Sequence, residues 1–342
     1  MLRIGLAGFS QGYYAVTYTR YLVARQDVIC AGVCDLGMSD SYVQECAFIT
    51  AGQFARELDA PHFTCFSDLL DTNPDAILVC CETYLHTELA AQALTRGIHV
   101  FVSKPLSFDP EDFPPLLTVA ENAILLCGNP LRYHPDIINL AKRVAAGETG
   151  KPYLLSCVVC HQAMVHQAWE RDPELSGGNL GTYSPYLFDL PRWIIGEEII
   201  SLYAQGGNFN TPQITFADTI HITGRLKSGG MIAIELRSGI KQPHPFFQAQ
   251  VAGTKGWISI TCEDHAASSS SDETTDDLGT LKESSLGAAE MDHFIDCILK
   301  DETPACDVYN MEYSAACIRA VQKSMVSAQP EMVEVQECYV VP

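Results

Sequence analysis

Leu2-Arg3-Ile4-Gly5-Leu6-Ala7-Gly8-Phe9-Ser10-Gln11-Gly12 opens the chain as a short apolar run that ends in a glycine-containing turn. A run of this kind reads as a strand buried on both faces, as in a parallel sheet. Where such a strand turns into a helix, the backbone N–H groups at the helix N-terminus can cradle a pyrophosphate. Counted from Gly8 against Gly-x-Gly-x-x-Gly, Ser10 takes the second glycine and Tyr13 the third, with Gly12 one residue early. Taken alone, this altered turn fits a phosphate cradle formed by Gly8, Phe9, Ser10, Gln11 and Gly12 and an ordinary strand-to-helix turn equally well.

The pattern continues outward. Val28–Cys34, Ala76–Cys81, His99–Val102 and Ile124–Cys127 are further apolar runs, alternating with helical stretches such as Tyr84–Arg96, which ends at Gly97. That alternation predicts an α/β Rossmann domain: βαβ units around a parallel sheet. Asp35 ends the second run about 23 residues after Gly12, where a carboxylate accepts hydrogen bonds from the adenosine ribose hydroxyls. Its charge would repel a 2′-phosphate, and Leu36-Gly37-Met38 brings no compensating arginine, so the expected cofactor is NAD, with NADP less favoured. A solvent-facing Asp at a strand end is the alternative.

Beyond Gly150 the runs Tyr153–His161, Asp218–Leu226, Met231–Arg237, Phe246–Ala252 and Trp257–Cys262 lengthen, with turns at Gly229-Gly230 and Gly253-Thr254-Lys255-Gly256. They predict a C-terminal α+β domain with a large, mostly antiparallel open sheet. Residues 264–288, rich in Ser, Asp, Glu and Thr, read as a solvated loop, and helices are expected over Gly287–Lys300 and Asn310–Ser327. The expected division is 1–127 and 128–342, the last helix packing back on the first domain.

Bulk properties set limits. A length of 342 residues suits two domains, and 47% hydrophobic with 18% charged residues is ordinary globular composition. The formal net charge of −21 opposes nucleic-acid binding. No apolar run reaches the roughly 18 residues of a membrane span, and the first residues read as a strand rather than an export signal; the expected location is the cytoplasm. Fourteen cysteines are dispersed without metal-ligand spacing and read as reduced core thiols.

Cys80-Cys81-Glu82-Thr83-Tyr84-Leu85-His86, then Val102-Ser103-Lys104-Pro105, Asn129-Pro130-Leu131-Arg132-Tyr133 and Gly177-Gly178 together resemble the Gfo/Idh/MocA family of oxidoreductases over nearly the whole chain. The resemblance implies that Lys104 lies beside the nicotinamide and the reacting hydroxyl, with Ser103 where the family usually has Glu. A lysine suits the chemistry independently, since a cation there favours removal of a hydroxyl proton near neutral pH. It further implies cofactor contacts from Cys81, Glu82, His86, Ser103 and Arg132. Where the family carries an Asp and, four residues on, a His at the substrate, this chain has Thr182 and Tyr186. The tyrosine replacement is similar to that of the glucose-fructose oxidoreductase and dihydrodiol dehydrogenase branch and makes Tyr186 the proton-transfer group with Lys104. On one helix Thr182, Tyr186 and Asp189 would share a face. Arg132, Trp169 and Arg171 are further substrate candidates, with Tyr133, His134, His161 and His166 behind them. No His/Glu/Asp set has metal-ligand spacing, and none is needed where nicotinamide takes the hydride.

The expected function is NAD(H)-dependent hydride transfer at a secondary alcohol of a sugar, glycoside or cyclitol, a small polyhydroxylated substrate. Two alternatives stay open: a catalytically degenerate nucleotide-binding regulatory protein, and a dihydrodiol or tetrapyrrole reductase, for which Phe246-Phe247 would line a pocket. The family further implies a homodimer or homotetramer through the C-terminal sheet.

Overall fold

The computed structural model describes residues 1–121, 123–161, 167–240, 244–262 and 278–335. The chain divides into two compact units: Met1–Leu106 with Asp112–Pro130 and Ala266–Val308, and Ser107–Glu111 with Leu131–His265 and Tyr309–Pro342.

In the first unit, β1 (Leu2–Ala7), β2 (Val28–Cys34), β3 (His62–Phe63), β4 (Ala76–Val79), β5 (His99–Val102) and β6 (Leu125–Cys127) form one sheet in the order β3-β2-β1-β4-β5-β6. Every pairing is parallel. The order reverses between β1 and β4, so a crevice opens beyond their carboxyl ends, the place where open α/β sheets bind ligands. The apolar runs follow from burial on both faces: all four residues of β4 are buried, as are Ile4, Leu6 and Ala7 of β1.

The expected single boundary after residue 127 leaves out one return of the chain. Helix Leu286–Lys300 puts Met291, Phe294 and Ile295 into the core around Leu6, Tyr18 and Phe101. It therefore belongs to the first unit, whereas nearly all of the final helix, Val308–Ser327, belongs to the second.

The second unit carries β7 (Pro152–His161), β8 (Ile199–Gly207), β9 (Thr219–Leu226), β10 (Met231–Ser238), β11 (Phe247–Gly253), β12 (Gly256–Cys262) and β13 (Glu331–Met332), ordered β12-β11-β7-β10-β9-β8-β13. Only the β7–β10 pairing is parallel among those described. Burial alternates along β9, β10 and β11, as it must when one face is covered and the other is open. Leu155, Cys157, Val159, Ile222, Ile234 and Val251 lie on the covered face. The open face carries Met231, 45% exposed, and Trp257, 64% exposed.

Candidate functional site

The opening turn fits a phosphate cradle. Gly8 has φ +86°, and a Cβ there would stand 2.4 Å from Cys81 Cβ at the end of β4. Only a glycine lets these two strand ends approach so closely. At Gly12 a Cβ would meet Cys46 O at 2.0 Å, so this glycine lets the start of the helical segment leading into Tyr14–Tyr18 pack against helix Asp40–Ala47. Gly8 N–H donates to Cys34 O at 2.9 Å and Gln11 N–H to Cys80 O at 3.1 Å, fixing the turn across β2, β1 and β4. Ser10 stands where a second glycine was expected, and its Oγ is buried with no hydrogen-bond partner among the described residues. A buried hydroxyl left in that state is costly, and a phosphate oxygen would satisfy it. Phe9 is different: its ring packs edge-on to Phe54, centroids 5.9 Å apart, so its side chain belongs to the core.

Asp35 follows β2 and is 3% exposed. Its Oδ1 accepts Gly37 N–H at 2.8 Å and its Oδ2 stands 2.7 Å from His62 Nε2. Glu82 Oε1 accepts the Tyr42 hydroxyl at 2.9 Å, and that carboxylate together with burial raises the Tyr42 pKa. His62 escaped the sequence reading because β3 has two residues, and Tyr42 because its partner Glu82 lies 40 residues away in sequence.

His86, expected at the cofactor, is fully buried with Nδ1 2.7 Å from Pro105 O and Nε2 3.0 Å from Cys81 O. Burial pushes its pKa down to about 4. Neutral, the ring has one N–H and donates to one of these two carbonyls, which links the turn after β5 with the segment after β4 beside Lys104. Ser103 likewise spends its hydroxyl on Val79 O at 3.1 Å. Lys104 follows, half-buried. Near it lies a carboxyl group that sequence reasoning missed. Glu290 is fully buried, Oε1 accepting Asn129 N–H at 2.7 Å and Oε2 the Tyr18 hydroxyl at 3.0 Å. Burial pushes its pKa up to about 8, although both bonds and the Lys104 charge act to lower it. A signal existed: Glu290 sits among Gly287, Met291 and Phe294 on the apolar stripe of its helix.

In the second unit, Arg132 and Asp189 meet each other. Arg132 Nε donates to Asp189 Oδ2 at 2.9 Å and Nη2 to Oδ1 at 2.5 Å, with side-chain exposures of 8% and 0%. The guanidinium also stacks over Trp193, 4.8 Å from the ring centre. Thr182, Tyr186 and Asp189 do not share a regular helix face: helix Gly178–Thr182 ends, and Pro185–Asp189 forms a π-helical turn. Tyr186 is fully buried and packs edge-on to Phe246 at 5.5 Å. Phe246 in turn meets His161 at 5.7 Å, and His161 meets Tyr183 at 5.2 Å, so these aromatic groups form one cluster. Phe247 is fully buried in the sheet core.

Tyr133 lies in the turn Pro130–Tyr133, and His134 caps the following helix by accepting Asp136 N–H. Trp169 and Arg171 lie in the short turn Trp169–Arg171, Arg171 exposed and Trp169 half-buried. Trp169 Nε1 has no hydrogen-bond partner among the described residues. Gly177 and Gly178 pack against Phe108 and Phe216. His166 lies outside the described residues. Among those described, no group of three or more His, Cys, Asp or Glu is placed to hold a metal, no helix is long and apolar enough to cross a membrane, and the cysteines are free thiols.

Comparison with known proteins accords with this layout. Residues 2–128 match a family model described as an oxidoreductase family with an NAD-binding Rossmann fold, and residues 137–259 match the GFO/IDH/MocA C-terminal domain. Myo-inositol 2-dehydrogenase of Thermotoga maritima is 32% identical over 170 residues, 48% of this chain and 50% of that protein. The scyllo-inositol 2-dehydrogenase (NAD(+)) of Bacillus subtilis is 24% identical over 301 residues, 84% of this chain and 87% of that protein. In two of the curated relatives the match spans about half of the relative's own length, 57% and 50%. The crystal structure of a probable dehydrogenase from Thermotoga maritima superposes with a TM-score of 0.79 at 23% identity, covering 97% of this chain and 99% of that one. With both halves matched by models of one family, the chain belongs to the Gfo/Idh/MocA oxidoreductases.

Proposed function

We propose that this protein is an NAD-dependent dehydrogenase or reductase acting on a secondary alcohol of a sugar, glycoside or cyclitol. The observation that carries the reading is the carboxyl edge of the first sheet, where Gly8 and Ser10 follow β1, Asp35 follows β2, Cys81 follows β4 and Lys104 follows β5. The ligands named for the inositol dehydrogenase relatives support the substrate class. Bound here, the nicotinamide would exchange hydride with the substrate carbon. The chain's own tasks are then to bind the pyrophosphate at residues 8–12, to meet the adenosine ribose with Asp35, and to handle the hydroxyl proton with Lys104 and Tyr186. Asp35 favours NAD over NADP, because a buried carboxylate repels a 2′-phosphate. Tyr186 takes the place the family gives to His, with Thr182, Trp169 and Arg171 as further substrate contacts. The Arg132–Asp189 pair supports the wall behind Tyr186.

The open face of the second sheet, with Leu154, Met231, Tyr203 and Trp257 beside Thr and Gln side chains, supports a homodimer or homotetramer packed through that face.

The test begins with the purified protein denatured to ask whether NAD(H) is released, followed by titration with NAD and NADP. Lys104→Met should then lower turnover on a polyol panel by about 10²–10⁴-fold with NAD affinity unchanged. Full activity in that variant removes Lys104 from the chemistry, and failure to bind either dinucleotide removes the enzyme reading.

A further inference from the structure

We propose that Glu290 is a positioning residue that sets the charge of Lys104. This rests on the role given to Lys104 above. Four observations place Glu290 beside the turn that carries Lys104. Strands β5 and β6 pair in parallel with Val102 opposite Cys127. Gly128 N–H, next along the chain, donates to Val102 O at 2.8 Å. A Cβ on Gly128 would stand 3.2 Å from Lys104 N, so the two turns lie against each other. The backbone N–H of Asn129, one residue on, holds Glu290 Oε1, and the Tyr18 hydroxyl holds Oε2.

A tie between an N–H and a hydroxyl requires only an amide oxygen. An ionisable carboxyl at full burial carries a desolvation cost that such a tie does not demand. The charge has a counterpart in Lys104, which acts electrostatically on Glu290. The coupling is reciprocal: ionised Glu290 stabilises the ammonium form of Lys104, and protonated Glu290 makes the neutral amine more accessible. Among the described residues, the titratable groups Tyr13 and Tyr18 also face Glu290. Burial pushes Tyr13 to about 12 and Tyr18 well above its ordinary value, so both stay neutral at working pH. From the segment after β6, the backbone N–H of Asn129 meets the carboxyl. With Glu290 titrating near 8, the charge beside Lys104 changes in the range where an alcohol dehydrogenation must lose a proton.

The experiment measures Lys104 itself. The full-length protein is pulse-labelled with acetic anhydride across pH, and acetylation of the Lys104 peptide is followed by mass spectrometry for wild type, Glu290→Gln, Glu290→Asp and Tyr18→Phe. Glu290→Gln should move the Lys104 labelling midpoint down by about one unit, a roughly tenfold rise in labelling rate below the midpoint. Glu290→Asp, which keeps the charge, should restore most of the wild-type midpoint. Tyr18→Phe removes one bond to the ionised carboxylate and should move the midpoint in the same direction by less. It also covers the case in which Glu290→Gln fails to fold. An unchanged midpoint in folded Glu290→Gln or, failing that, in Tyr18→Phe overturns the proposal. Labelling needs no substrate, so a shifted midpoint without turnover on any polyol upholds the pairing and overturns the proposed activity. An active enzyme with an unshifted midpoint does the reverse.

Discussion

Asp35 is 3% exposed, and Gly37 N–H and His62 Nε2 each meet one of its oxygens. Replacing it by Asn keeps the shape and removes the charge, so it isolates the electrostatic part of dinucleotide choice. Asp35→Asn should weaken NAD and improve NADP, moving the ratio of their dissociation constants by tenfold or more, about 1.4 kcal/mol. Titration of both dinucleotides against wild type and variant checks this, and an unchanged ratio would mean that the carboxylate does not face the ribose. The place of Asp35 just after a strand was readable at this scale because it depends only on the end of an apolar run and its distance from a glycine turn. His86 was not. Its sequence position is the same whether it meets a cofactor or sits between two backbone carbonyls, and only the fold brings Pro105 O and Cys81 O to its two nitrogens.

Between elements, the Arg132–Asp189 pair fixes the turn Pro130–Tyr133 to the π-helical turn Pro185–Asp189. At these exposures, removing one partner strands a buried charge, which costs about 3–5 kcal/mol. Asp189→Ala should show that loss in denaturant unfolding. Arg132→Lys should lose much of the same stability, because an ammonium can neither fork onto both oxygens nor stack on Trp193. A change below about 1 kcal/mol, the size expected of a surface pair, would show that the two groups are solvated. The expected shared face of Thr182, Tyr186 and Asp189 assumed regular helical spacing, and a π-helical turn breaks that spacing without a mark in the residue types. The strands of the first sheet were legible because burial on both faces makes them apolar throughout. Ile199–Gly207 was missed: Tyr203, Gln205 and Gly206 interrupt its apolar pattern, and its pairing with β9 and β13 supplies what local sequence does not.

For the whole molecule, two buried titratable groups of the first unit act on stability with opposite signs. The Glu290 carboxyl is raised from 4.5 to about 8. Between those values the folded state keeps a proton that the unfolded chain has lost, so stability falls as pH rises. The His86 imidazole is lowered from 6.5 to about 4. In that window the unfolded chain binds a proton that the folded state does not, so stability rises with pH. The two oppose each other from 4.5 to 6.5, and above 6.5 only the Glu290 contribution continues. Calorimetric melting should therefore show a wild-type decline between pH 6.5 and 8 worth about 2 kcal/mol. Glu290→Gln, which carries no titrating proton at that position, should stay flat across the window and still weaken toward pH 4 through His86. Parallel declines in the two proteins would place the ionisation of Glu290 near that of an exposed carboxylate. Its burial against Tyr18 and Asn129 would then not be what governs its proton.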